Sequence, residues 1–398
     1  MPNIVKRLMA VTGAAILALS LVGPSMAQDK PPIKIGLILP YTGFASFLVP
    51  YFETGFVLGI EDVNAGGGVN GSMLELQKED TQFNPAESIR VYRRLVRDGA
   101  FAAFGPISST VWENVTPLTL REKMPIINTT AQKPQISNTR YTLRMTSHDL
   151  KMMPEGVAQF TQLKPNVKKI VIMGDVKEQA TKTALDSYDR EARVQGLEIL
   201  DTISFTTRTT EFSPIVIKLR GLNPDAIFVS SLVPAVVALA KEMEAQGMDI
   251  PILNNLIFWP AGGVNVIAPL GKEIYAMGFS TNQRIANEAH NRYVARYQER
   301  LSGNSKVPKP ANAANSTIAY EAVQLIAQIM RDAGIDGNTP AKEARELIAD
   351  GISSIKKWDG TLLKFEFDDE RNAYIPAHLL IVNNDTGEWN YALPGIAQ

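Results

Sequence analysis

IKIGLILPYTGFASFLVPYFETGFVLGIEDVNAGGGVNGSMLELQKEDTQF, residues 33–83, is the stretch that decides the fold. Ile33, Ile35, Leu37 and Leu39 alternate with Lys34, Gly36 and Ile38 until Pro40 stops the run, which predicts a strand. Tyr41-Thr42-Gly43 opens a loop, a long helical pattern follows, GGGVNG at 66–71 marks a turn, and a second strand closes the unit. Strand, loop, helix, turn and strand make the first crossover of an open α/β domain. In such sheets ligands bind beyond the carboxyl ends of the strands, so the loop running from Tyr41 to Leu48 is a candidate wall of a site.

Upstream, Lys6 and Arg7 precede an apolar run over residues 8–22, and Ser25-Met26-Ala27 supplies small residues at a cleavage site. Residues 1–27 read as an export signal cut near Ala27, with Gly23-Pro24 ending the run before it could span a bilayer. The expected location is the periplasm, with a mature chain that does not span the membrane. The chain has no cysteine, which excludes disulfide scaffolds, thiolate metal sites, cysteine nucleophiles and a lipoprotein anchor. Its 40 basic and 41 acidic side chains nearly cancel, which leaves little for a nucleic-acid or polybasic membrane role.

Downstream, the pattern predicts helices over 85–97 and 111–121 and strands over 100–104 and 124–127. Polar loops Ser108-Ser109-Thr110 and Asn128-Thr129-Thr130-Ala131 follow those strands. The order restarts with strand 169–173, helix 179–195, strand 197–204, helix 212–222, strand 225–229, helix 236–246 and strands 251–254 and 274–279. Two α/β units with a cleft between them follow. Helices are expected over 287–301, 315–333 and 341–349, and the tail from 361 to 391 turns to the alternating pattern of antiparallel strands.

Enzyme signatures are missing: there is no GxSxG elbow, HExxH or GxxxxGKS. Gly66 to Gly71 match the letters of a dinucleotide loop but follow a helix and precede a strand, the reverse of the phosphate-binding context, so they read as a turn. His148, His290 and His378 lack metal spacing and read as ordinary surface or cleft residues, while Glu61-Asp62 and Asp368-Asp369 read as solvated faces. No metal or cofactor is expected. Ser108, Ser109 and Thr110 at a helix start have two readings, an N-cap or an anion site.

IGLILPYTG, GIEDVNAGGGVNG, FGPISST with MPIINTTA, and the later IAYEAVQLI and KWDGTLLKFEFD together resemble the type I periplasmic solute-binding proteins of ABC uptake systems, the class of the leucine/isoleucine/valine-binding proteins. The resemblance covers nearly all of the mature chain. It implies two doubly wound α/β lobes joined by a three-segment hinge with crossings near 146, 281 and 362. Lobe 1 would comprise 28–145 plus 282–362, and lobe 2 146–281 plus 363–398. It further implies closure on a small molecule and delivery to an inner-membrane ABC permease. The implied ligand-binding set is Tyr41, Phe47, Leu48, Ser108, Ser109, Thr130, Ala131, Gln132, Gln179, Leu232, Leu256 and Asn315. Within it Ser109, Thr130 and Gln132 face a carboxylate.

The departures from that class shape the expected ligand. Amino-acid binders carry an acidic residue on the second lobe where this chain aligns Leu256, or Asn254 or Asn255 if the register shifts. Leu48, Gln179 and Leu232 stand where aromatic rings usually close. An ammonium buried without a partner costs several kcal/mol, about the binding energy of a micromolar complex. A small organic acid with an aromatic or branched apolar body is therefore expected, held by Tyr41, Phe44, Phe47, Leu48, Leu232, Leu256, Phe258 and Trp259. Rival ligands are amides, urea-like solutes and branched-chain amino acids. Rival roles are a periplasmic ligand sensor and an α/β hydrolase or amidase.

Overall fold

The computed structural model describes residues 30–206, 208–256, 264–279, 281–282, 287–305, 307 and 313–393. Residues 1–27, Phe258 and Trp259 lie outside the described residues.

The crossover forms as read. β1 (Ile33–Leu39) buries every residue but Lys34 and lies between β2 (Leu74–Asp80) and β3 (Ala102–Phe104), with β4 (Ile126–Asn128) and β5 (Thr142–Arg144) beyond. All five strands are parallel, in the order β2-β1-β3-β4-β5. Helices α1 (Val49–Ala65), α2 (Pro85–Arg97) and α3 (Ser109–Glu122) connect them. Asn84 starts α2 by accepting from the Ala86 and Glu87 amides at 2.8 and 3.3 Å, with Pro85 as the first helical residue. The glycine run is a turn between α1 and β2: Gly68 has φ +74°, and a Cβ there would fall 2.2 Å from the Ser72 carbonyl oxygen.

The second half repeats the plan. α4 (Asp149–Leu163) leads into a sheet of β6 (Lys169–Asp175), β7 (Glu198–Phe205), β8 (Ala226–Ser230), β9 (Ile252–Asn254) and β10 (Ile274–Gly278), parallel in the order β7-β6-β8-β9-β10. α5 (Gln179–Val194), α6 (Ser213–Leu222) and α7 (Val233–Ala245) connect these strands. The chain then returns to the first lobe as α8 (Glu288–Ser302), α9 (Ala314–Asp332) and α10 (Ala341–Ser354). α8 is tied to α1 through Arg296 to Asp62 at 2.8 Å and Arg300 to Glu61 at 2.6 Å. Those two acids are thus ion-paired across helices rather than merely solvated. A small antiparallel sheet of β11 (Lys357–Asp359), β12 (Lys364–Phe367) and β13 (Ala373–Tyr374) follows. β14 (His378–Asn383) and β15 (Glu388–Tyr391) then add antiparallel to the second sheet beside β10.

Among the elements named here, β5, α4 and β11 fall in stretches that the sequence reading left unassigned. The histidines also differ from expectation, since His148 and His290 are buried at 8 and 2% exposure and His378 is half-buried. Burial pushes all three rings toward the neutral form, His148 down to about 4, with Arg144 beside it adding to the effect. Among the described residues no cluster of acidic and histidine side chains could hold a metal, and no helix is long and apolar enough to cross a membrane.

Candidate functional site

Each sheet reverses its winding at one point: β1 has β2 on one side and β3 on the other, and β6 has β7 and β8. Loops leaving such neighbours splay apart, and the crevice between them is where open α/β sheets bind ligands. Here the two crevices share one cavity of about 210 Å³, lined by Phe44, Leu48, Ile107 to Ser109, Thr130 and Gln132 on one side. Asp175, Lys177, Glu178, Ala180, Arg208, Leu232 and Leu256 line the other, with Phe52 and Phe83 completing the first lobe's wall.

The first lobe's loops are organised by Asn128 at the end of β4. Its buried Oδ1 accepts from the Thr130 and Ala131 amides at 2.8 and 2.6 Å, while its Nδ2 donates to the Pro106 carbonyl. This locks the loops after β3 and β4 together. Ser109 Oγ then accepts from the Gln132 and Lys133 amides at 3.0 and 3.3 Å. Thr130 Oγ1 donates to the Ile107 carbonyl at 2.8 Å, and Gln132 Nε2 donates to the Thr130 carbonyl at 2.6 Å. Gln132 is 3% exposed, and its Oε1 is buried with no hydrogen-bond partner.

The helix start has an occupant from the other lobe. Ser108 caps α3 by accepting from the Val111 amide at 3.3 Å. Its hydroxyl donates to Glu178 Oε1 at 3.3 Å, Thr110 Oγ1 donates to Glu178 Oε2 at 2.9 Å, and the Gln179 amide donates to Thr110 Oγ1 at 3.2 Å. Burial pushes the Glu178 carboxyl above the usual carboxylate range, against the pull of the bonds from Thr110 and Ser108. The cations are more open: Lys177 and Arg208 are exposed, and the Arg208 guanidinium lies 5.2 Å from the centre of the Phe44 ring.

Of the expected site residues, the structure brings Leu48, Ser108, Ser109, Thr130, Gln132, Leu232 and Leu256 to the cavity. Four others fall outside its lining. The Tyr41 hydroxyl turns to Glu53 Oε1 at 3.1 Å, and Phe47 packs edge-on behind Phe44 at 6.3 Å. Ala131, 1% exposed, belongs to the core around Trp112, and Gln179 contributes its backbone amide to the interlobe contact. Asn315 lies in the first turn of α9, and its side chain is outside the described residues. Asn254 and Asn255 are fully buried beneath the cavity wall, so Leu256 is the lining residue at that edge.

The sequence reading missed Phe52, Phe83, Ile107, Asp175, Lys177, Glu178, Ala180 and Arg208. Asp175 to Glu178 carried a signal, because they leave the carboxyl end of the second unit's first strand as Tyr41 to Leu48 leave that of the first. Arg208 carried none, standing in a loop with no motif.

A family model described as "Periplasmic binding protein" matches residues 32–378. The leucine-, isoleucine-, valine-, threonine- and alanine-binding protein of Pseudomonas aeruginosa is 25% identical over 226 residues, which span 56% of this chain and 60% of that relative. A branched-chain amino acid transporter substrate-binding protein from Streptococcus pneumoniae, solved with isoleucine, superposes with a TM-score of 0.77 at 21% identity, over 90% of this chain and 98% of the other. A solute-binding protein from R. palustris, solved with benzoate, gives 0.76 at 17% identity, over 91 and 95%. These likenesses show the two-lobed fold.

Proposed function

The chain belongs to the periplasmic binding protein family of ABC uptake systems, and from that premise we propose that it captures a small organic acid with an aromatic or branched apolar body. The lobes, 28–145 plus 282–362 and 146–281 plus 363–398, close on it about crossings near 146, 281 and 362. The closed complex is then delivered to an inner-membrane ABC permease. Export through a signal cleaved near Ala27 places it there.

One observation carries the ligand class. Phe44, Leu48, Phe52, Phe83, Ile107, Leu232 and Leu256 converge on one cavity whose open edge carries Arg208 and Lys177. Apolar cavities of about 150 Å³ accept a benzene ring. The cavity of about 210 Å³ therefore suits a ring or branched chain with one small head group. Burying a ring's area of roughly 150–250 Å² at about 25 cal/mol per Å² gives several kcal/mol before association costs. The cations and the Ser109 hydroxyl supply the head's charge and one donor. Thr130 and Gln132 offer the head less than expected, because the Thr130 hydroxyl and one Gln132 donor are committed to carbonyls. That the R. palustris neighbour was solved with benzoate supports the same reading.

A branched-chain amino acid is the second reading, favoured by one observation: Asp175 and Glu178 bring carboxyl groups to the second lobe's wall, where Leu256 alone would leave an ammonium unpaired. The test is a thermal-shift series on the mature protein with benzoate, 4-methylpentanoate, benzamide, leucine and valine. A ligand at 100 times its Kd adds about 2.7 kcal/mol to stability. Stabilisation by the simple acids is the expected result; a response to leucine and valine alone would replace the first reading by the second. Turnover of esters or amides would overturn both.

A further inference from the structure

We propose that Glu178 is a positioning residue that holds the two lobes together across the cavity, so that the closed arrangement is populated before a ligand enters. This rests on the lobes moving about the hinge and is independent of which acid the cavity takes.

The first turns of two helices from different lobes meet at the lip of the cavity. α3 follows β3 of the first sheet and starts at Ser109, and α5 follows β6 of the second and starts at Gln179. Glu178 is the N-cap residue of α5, a place where the short side chains of Ser, Thr, Asp and Asn are the usual choice because they fold back on their own helix. Its longer side chain spans the gap between lobes: Oε1 accepts from the Ser108 hydroxyl at 3.3 Å and Oε2 from the Thr110 hydroxyl at 2.9 Å. Beside it the Gln179 amide, one of the donors that a helix start leaves without an internal partner, donates to Thr110 Oγ1 at 3.2 Å. Thr110 thus gives one hydrogen bond to the second lobe and takes one from it. All three bonds join groups of the chain itself, and all three break when the lips part. Arg208 over Phe44 also crosses the cavity, at 5.2 Å, but Arg208 is exposed and water screens it, whereas Glu178 is half-buried between the lobes. The net worth of one to two hydrogen bonds shifts a two-state equilibrium about tenfold.

The experiment measures the gap directly. The chain has no cysteine, so Asn114→Cys on α3 and Lys182→Cys on α5 introduce its only thiols, at exposed positions one turn in from the two helix starts. Spin labels there, read by double electron-electron resonance on the mature protein, move apart when the lips part. The ligand-free wild type should show a short-distance population beside a long one. Glu178→Ala should lower the ratio of short to long about tenfold, Thr110→Val should do the same, and the double variant should add little, because both act through one contact. Benzoate should leave Glu178→Ala about tenfold faster than it leaves the wild type, with association changed less than threefold. A single long-distance population in the ligand-free wild type, or a distribution that Glu178→Ala leaves as it is, would overturn the inference. A lower urea midpoint in Glu178→Ala with unchanged distances would also overturn it, by making the residue structural. Ligand-free populations that respond to Glu178→Ala, in a protein that does not bind benzoate, would uphold the inference and count against the aromatic-acid reading alone.

Discussion

The two winding reversals that face each other across the cavity are built alike and furnished differently. The first lobe presents hydroxyls and amides fixed by a hydrogen-bonded lattice, with Asn128, Ser109, Thr130 and Gln132 each committed to backbone groups. The second presents Asp175, Lys177, Glu178 and Arg208 among leucines, two of the four exposed. A neutral lattice buried under two loops is stiff and reads shape. Charges at an open edge are cheap to keep solvated and act by attraction. The pairing sets a hydrogen-bonded neutral wall against a charged one.

The largest effect that could break this comparison falls on the second wall's apolar part. Leu256 is 2% exposed and belongs to the main core as well as the cavity lining. Leu256→Ala should cost about 2–3 kcal/mol of stability, the low end for a buried leucine because one side already faces a cavity. A urea melt gives the number, and a loss under 1 kcal/mol would show that this wall is not packed as a core. Next comes the first lobe's lattice. Ser109→Ala with Gln132→Ala removes a hydroxyl that holds two backbone amides together with an amide that braces the loop. It should weaken binding of the best acid tenfold or more, about 1.4 kcal/mol. Unchanged affinity would mean that the lattice shapes the loop and touches no ligand.

How much of this was legible in the sequence divides along the same line. Alternating apolar residues in β1 and β6, capped by Pro40 and by the polar stretch after Asp175, showed both strands, because a strand buried on both faces has little freedom of composition. α4 was hidden by Pro154 and Gly156 in its middle. Gly156 is there because Met277 of β10 packs where a Cβ would stand, 2.5 Å away, a tertiary fact that no local pattern carries. The first wall was readable because hydroxyls at a helix start and after a strand are local signals. The second was not, since Arg208 reaches the cavity from a loop of no special composition. Glu178 matters only because the lobes bring it to α3, about 70 residues upstream.

The smaller effects probe the charged wall. Arg208 is exposed and stands over Phe44, so Arg208→Ala should weaken an acid about fivefold, near 1 kcal/mol, and flatten the dependence of affinity on salt, whereas the Ser109 and Gln132 variants should leave that dependence as it is. A salt slope equal in both would erase the distinction between the walls. The finest test is Glu178. Burial holds its carboxyl above the usual range, so the folded protein binds this proton more tightly than the unfolded chain does. The stabilisation is full below the unfolded value near 4.5 and is lost as pH rises through the raised one. Wild type should therefore lose stability relative to Glu178→Gln as the pH rises above the ordinary carboxylate range. Asp175, Lys177 and Arg208, which share the cavity, are common to both proteins and cancel from the difference. A melting-temperature difference that stays flat with pH would place Glu178 in water, away from Ser108 and Thr110.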